Sequence, residues 1–96
     1  MAIQSFSDKA TEDFFIYGTA SRKAGWSQVA KIAKRKLDML HYAHQLNDLK
    51  SPPGNKLEAL EKDLKGYHSI RINDQWRVVF KWTPSGPSEV YITDYH

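Results

Sequence analysis

The segment Ser51-Pro52-Pro53-Gly54-Asn55 constrains the fold more than any other part of this chain. Proline withholds the N–H that a helix needs, and glycine permits a turn, so no regular element crosses it. Residues before it carry helical periodicity. Residues after it are rich in aromatic and β-branched side chains and read as strands. The chain has 96 residues, and neither half could bury a core alone. The break therefore marks a change of layer inside one domain, residues 1–96, rather than a boundary between two.

The first half opens on the alternating Ala2-Ile3-Gln4-Ser5-Phe6, which reads as a short strand. Ser7 followed by Asp8 is a helix start, because a side-chain oxygen caps free N–H groups and an acid favours the positive helix end. The spacing predicts a helix from about Asp8 to Tyr17, with an apolar stripe of Ala10, Phe14 and Tyr17, ended by Gly18. After a basic connection, Thr19 to Gly25, a longer helix is expected from about Ser27 to Asn47. Trp26, Val29, Ala30, Ala33, Leu37, Leu40 and His44 recur at spacings of three and four and form its buried face. Lys31, Lys34, Arg35 and Asp38 fall largely off that face, as a solvated edge or a surface for RNA.

The second half supplies the strands. Lys56 to Glu61 is the weakest candidate, while Tyr67 to Asn73 and Trp76 to Trp82 are strong. Asn73-Asp74-Gln75 reads as a tight turn and Pro84-Ser85-Gly86-Pro87 as a second hairpin loop. Val90 to His96 closes the sheet. The order β-α-α-β-β-β, with one further strand if the weak candidate forms, predicts an α+β domain. A helical hairpin packs on one face of a small, mainly antiparallel sheet, and the other face stays open.

Composition narrows the chemistry. There is no cysteine, so disulfides and thiolate metal sites are excluded. No apolar run approaches the roughly 20 residues that cross a bilayer. The N-terminal residues lack the layout of a secretory signal, so a reducing cytoplasm is the expected compartment. The net charge of +3 is mild and leans toward an anionic partner.

Lys65, Arg71, Arg77 and Lys81 crowd onto and beside two strands, with His68 among them. A simple turn sets Ile72 opposite Arg77. His68, Ile70, Ile72, Arg77, Val79 and Lys81 then share one face. Tyr67, Ser69, Arg71, Val78, Phe80 and Trp82 share the other, which looks like the core except for Arg71. A bulge at the turn would rephase one strand and move Arg71. The chain closes on Asp94-Tyr95-His96, where alternation places Asp94 and His96 on one face and Tyr95 on the other. Fixed cations, an imidazole and a carboxylate, without a metal cluster or a glycine-rich phosphate loop, fit metal-free RNA cleavage. The RNA 2′-hydroxyl is then the nucleophile, and the protein supplies proton transfer and charge stabilisation.

Three stretches carry a resemblance: Pro52 to Leu60, Gly66 to Phe80, and Val90 to His96. Together they are similar to the HigB-type toxins of bacterial type II toxin–antitoxin systems, within the RelE/ParE superfamily. The resemblance implies a helical hairpin on an antiparallel sheet and a bacterial cytoplasmic endoribonuclease that cuts mRNA in the ribosomal A site. It implies a helix-turn-helix antitoxin of the HigA type, contact with operator DNA only through that complex, and no cofactor. By position, Asp94, Tyr95 and His96 match the family's functional C-terminus, and Arg77 matches its strand arginine. Some HigB toxins carry a catalytic histidine where this chain has Glu58, so Glu58 stands either as a base or as a structural carboxylate. His68 is a further candidate for catalysis or substrate positioning. Relatives carry a basic Lys-Gly-Asp-Arg segment where this chain reads Glu61-Lys62-Asp63-Leu64, which leaves phosphate contacts there to Lys62 or Lys65. ParE-type relatives share the fold and act on DNA gyrase, which supplies the alternative of a non-catalytic inhibitor.

Overall fold

The computed structural model describes residues 2–20 and 23–94. Two helices, α1 (Lys9–Tyr17) and α2 (Ala30–Tyr42), pack on a four-stranded antiparallel sheet. The strands are β1 (Glu58–Ala59), β2 (Tyr67–Arg71), β3 (Trp76–Thr83) and β4 (Gly86–Asp94), standing side by side in chain order. This is the expected α+β architecture, with the weak strand candidate present as the two-residue β1. The expected first strand is an extended segment lying parallel to β4, with Phe6 bridging Val90.

Local chemistry sets the helix ends. Asp8, not Ser7, caps α1, its Oδ1 accepting the Thr11 N–H at 2.8 Å. Ser7 donates instead to the Glu89 carbonyl. Gly18 takes the left-handed conformation (φ 75°) and closes the helix on the Phe14 carbonyl. Phe14 is buried, whereas Tyr17, expected on the apolar stripe, is 73 % exposed. The helix is instead turned so that Thr11 is fully buried.

Helix α2 is shorter than its periodicity predicts. A 3₁₀ turn, Gly25–Val29, leads into it, and extended backbone at Ala43 ends it. The reason lies just beyond. Asp48 accepts the N–H groups of His44 and Gln45, and Gln45 with Asp48 forms a reciprocal cap that starts a new 3₁₀ turn, Leu46–Lys50. His44, expected on the buried face, is therefore exposed. Trp26, Ala33, Leu37 and Leu40 are buried as expected and meet Ile70, Ile72, Val78, Phe80, Val90 and Ile92 from the sheet. Each large side chain removed from water in this way contributes about 1.5–3 kcal/mol. Close approach is required at Gly25, where a Cβ would lie 2.7 Å from the Trp76 indole.

The β2–β3 register corrects the sequence reading. Arg71, not Ile72, stands opposite Arg77. The loop is one residue longer than assumed, because the Asn73 Oδ1 accepts the N–H groups of Gln75 and Trp76, and the Ile72 N–H reaches the Trp76 carbonyl. A slip of one residue exchanges the two faces of a strand. Ile70 and Ile72 thus enter the core with Val78 and Phe80. Tyr67, Ser69 and Arg71 move to the opposite face, beside Arg77, Val79 and Lys81.

Strand β4 carries a bulge opposite Phe80, with Glu89 at φ 52°. The N-terminal segment satisfies the groups that the bulge frees: the Val90 N–H donates to the Ser5 carbonyl and the Glu89 N–H to the Ser5 hydroxyl. Further along the same edge, the buried Ile92 N–H donates to the Thr11 hydroxyl oxygen at 3.1 Å. Thr11→Val keeps the shape and leaves that N–H without an acceptor, so it should lower unfolding free energy by about 1–3 kcal/mol. Urea denaturation should show a lower midpoint at unchanged slope. An unchanged midpoint would mean that the amide needs no partner from α1.

Candidate functional site

Arg77 organises the face of the sheet that the helices leave uncovered. Its side chain crosses β2 toward the β1 edge. The Nε–H donates to the Ser69 hydroxyl at 2.7 Å, and Nη2 donates to the Lys56 carbonyl at 2.6 Å and to the Ser69 carbonyl at 3.3 Å. A guanidinium held at two of its nitrogens has its plane fixed before any ligand arrives. Arg71, its cross-strand partner, is tied to Asp74 at the hairpin turn. Two guanidinium-bearing residues directly opposite each other are unfavourable for folding alone.

Around them the face has a floor and a rim. Ser69 and Val79 are fully buried and form the floor. Glu58 is exposed on β1, directly opposite Ser69 and so on the face of Arg77. Tyr91 and Thr93 of β4 stand opposite Val79 and Arg77. Lys81 is exposed on the same face opposite Tyr67. The pKa of Tyr67 is raised above the ordinary tyrosine value, first by burial and then by a hydrogen bond to Glu89 and the charges of Glu89 and Tyr91.

Asp94 ends β4 opposite Trp76 and accepts a hydrogen bond from Gln75 at 3.0 Å. Its register follows Ile92 on the helical side, and the outward position beside Arg77 is Thr93. Tyr95 and His96 lie outside the described residues.

His68 is not on the face of Arg77, contrary to the expected grouping. The register turns it to the helical side, where its ring stacks on Phe80 with centroids 6.2 Å apart. It lines a cleft of about 450 Å³ with Leu46, Lys50, Leu57 and Ala59. Among the described residues its buried Nδ1 has no hydrogen-bond partner, and burial pushes its pKa below the ordinary imidazole value. The unfolded chain then binds the additional proton first, below about pH 6.5. The stability that neutral His68 contributes is present above that pH and is lost as pH falls through the depressed folded-state pKa. His68→Phe keeps the stack and should flatten the acid side of the stability–pH curve. Parallel acid limbs in the two proteins would show that His68 does not drive it.

Comparison with known proteins decides the family. Residues 4–96 match the HigB-like toxins, described as the RelE-like toxin of type II toxin–antitoxin system HigB. The chain belongs to the HigB-like toxin family. It is 38 % identical over 92 residues to Toxin HigB-1 of Vibrio cholerae serotype O1, covering 96 % of this chain and 95 % of that one. An uncharacterized protein of Haemophilus influenzae is 36 % identical over 89 residues, 93 % of this chain and 87 % of that protein. The fold is that of solved toxins. A YoeB/ParE toxin from Agrobacterium tumefaciens superposes with a TM-score of 0.57 at 20 % identity, each chain covered in full. The YoeB dimer from Staphylococcus aureus gives 0.56 at 26 % identity, covering 100 % of this chain and 97 % of that one.

In this HigB-like toxin the other candidate cations are spread over both layers. Lys65 is exposed at the end of the 3₁₀ turn Lys62–Leu64, next to β2. Lys31, Lys34 and Arg35 lie on α2, in the helical layer, with Lys34 bound to Asp38 at 2.6 Å and 5.2 Å from the Phe15 ring centroid. Sequence reasoning passed over Ser69, Tyr67, Tyr91 and the Lys56 carbonyl. The first three carried a usable signal, since burying Ile70 and Ile72 turns Tyr67 and Ser69 of β2 outward, and burying Val90 and Ile92 does the same for Tyr91 of β4. A main-chain carbonyl carries none.

Proposed function

We propose that this HigB-like toxin is a ribosome-dependent endoribonuclease that cleaves mRNA in the ribosomal A site and is neutralised by a HigA-type helix-turn-helix antitoxin. The observation that carries the reading is the pre-oriented Arg77 guanidinium with Arg71 opposite it, on an uncovered sheet face that also presents Glu58 and Lys81. Family membership supports it, and a toxin of the same fold, YoeB of Staphylococcus aureus, forms a heterotetrameric YoeB-YefM toxin-antitoxin complex.

The reaction is metal-independent in this reading and needs no cofactor. The RNA 2′-oxygen bonds to the adjacent phosphorus, the bond from phosphorus to the 5′-oxygen breaks, one proton leaves the 2′-hydroxyl and one reaches the departing oxygen. Glu58 takes the first proton and His96 supplies the second, with Asp94 as the further titratable group at the strand end. Arg77 stabilises the charge that builds on the phosphoryl oxygens. Tyr95 orients the neighbouring base. Arg71, Lys65 and Lys81 hold flanking phosphates, and Lys31, Lys34 and Arg35 make ribosome contacts away from the scissile group. His68 belongs to the packing of the helical side and takes no part in proton transfer. The ribosome supplies the substrate geometry, so naked RNA is a poor substrate. The protein works in the bacterial cytoplasm and meets operator DNA only when bound to its antitoxin.

Glu58→Gln should slow single-turnover cleavage by on the order of 10²-fold, since the isosteric amide cannot accept a proton. The carboxylate is exposed, so the fold should be unaffected. A rate within a few-fold of wild type would return the base role to His96 or Asp94. The reading as a whole is tested in a cell-free translation mixture beside a gyrase supercoiling assay. Loss of full-length mRNA with normal supercoiling is expected. Blocked supercoiling with intact mRNA would place the chain with the gyrase inhibitors instead.

A further inference from the structure

Asn55 is fully buried although it sits in the chain break between the helical and strand halves. Its amide is held from both ends. The Oδ1 accepts from the Lys36 ammonium at 2.5 Å, and Nδ2 donates to the Leu49 carbonyl at 3.2 Å and the Ser51 carbonyl at 3.4 Å. Lys36 is itself only 9 % exposed, and burial, aided by Arg35 and Arg71, pushes its pKa below the ordinary lysine value. A buried ammonium held by a neutral amide does little for stability. Its geometric effect is larger, because it pins the 3₁₀ turn Pro53–Asn55 from beneath.

The next residue is where that turn meets the site. Lys56 adopts the left-handed conformation (φ 45°, ψ 55°), which non-glycine residues rarely take, and its N–H closes on the Pro53 carbonyl. In this conformation its carbonyl accepts the Arg77 Nη2 donor at 2.6 Å. An unbroken series of contacts thus runs from α2 through Lys36, Asn55 and the Lys56 carbonyl to the guanidinium.

Resting on the proposed role of Arg77, we infer that Asn55, gripped by Lys36, is a positioning residue for cleavage: it fixes the Lys56 carbonyl that sets the plane of the Arg77 guanidinium. Arginine has a long, flexible stem, and an electrostatic contribution to the transition state depends on its being oriented beforehand. Ser69 fixes one end of the guanidinium from β2 and Lys56 fixes the other from the loop. Losing the second anchor keeps the charge in place but removes the shorter of the two Nη2 contacts and loosens its direction.

The test is a double-mutant cycle on programmed ribosomes, read as the single-turnover rate at saturation and the half-saturating ribosome concentration. Asn55→Ala and Lys36→Met should each slow cleavage by on the order of 10- to 100-fold. Half-saturation should stay within about 3-fold and the melting transition should remain cooperative. Lys36→Gln, which keeps an N–H donor, should recover most of the rate lost in Lys36→Met. In an Arg77→Ala background the same substitutions should cost less than about 2-fold, because they act through the missing guanidinium. Should Asn55→Ala fail to fold, the Lys36 variants carry the same readout. Unchanged rates in folded variants, or losses that add fully to that of Arg77→Ala, would overturn the positioning role while leaving the nuclease reading intact. An Arg77→Ala protein that cleaves normally would overturn both, and the Arg77 arm reports that separately.

Discussion

Arg77→Ala should lower single-turnover cleavage on saturated ribosomes by on the order of 10²–10³-fold, the range expected for removing one pre-oriented donor from a transition-state charge. Arg77→Lys should restore only part of the loss. A lysine keeps the charge but has a single nitrogen, without the planar fork that reaches Ser69 through Nε and Lys56 through Nη2. The loss belongs to the chemical step, because ribosome association draws on many contacts and transition-state charge on few. The fold should survive the change. Arg77 is only partly buried, and the core beneath the sheet is built from Ile70, Val78 and Phe80. An unchanged single-turnover rate would reduce Arg77 to a surface charge and remove the main support for the proposed chemistry.

His96→Ala, or truncation after Tyr95, should abolish growth arrest and lower cleavage by about 10²–10⁴-fold, the range for a general acid or base. An imidazole exchanges protons near pH 7, with an ordinary pKa of about 6.5, so no other side chain here replaces it readily. The described strand pairs run to Asp94 opposite Trp76, and losing His96 breaks none of them. The variant should therefore melt like wild type and still bind its antitoxin. Comparison of growth, melting and antitoxin co-purification separates loss of chemistry from loss of fold. Growth arrest at the wild-type level by the truncated chain would sink the assignment.

The layers were legible in the sequence because the segment from Ser51 to Asn55 stops one periodicity and starts another. The placement of Arg77 with Lys81 was legible too, since alternation inside one strand needs no partner. The pairing of β2 was not. It depended on a turn one residue longer than assumed, and Asn73 sets that turn through two side-chain hydrogen bonds. The apolar pattern was the better guide, because Ile70 and Ile72 outweigh Tyr67 and Ser69 as core residues. That preference brings Arg71 outward and turns His68 inward. The end of α2 was obscured by a cap at Gln45 and Asp48, three residues past the helix, that competes with its continuation. Nothing in the sequence pattern signals the burial of the polar Lys36 and Asn55, which rests on their contact with each other and on the main-chain carbonyls that Asn55 meets. The roles given to Tyr95 and His96 rest on family resemblance, as both lie outside the described residues.

Primer-extension mapping of mRNA 5′ ends, with and without ribosomes, tests the central claim most directly. The account predicts new ends at discrete positions within translated sequence, dependent on ribosomes paused with those codons in the A site, and lost with Arg77→Ala and His96→Ala. Ends that form equally on naked RNA, or an mRNA that stays intact while translation stops, would contradict it.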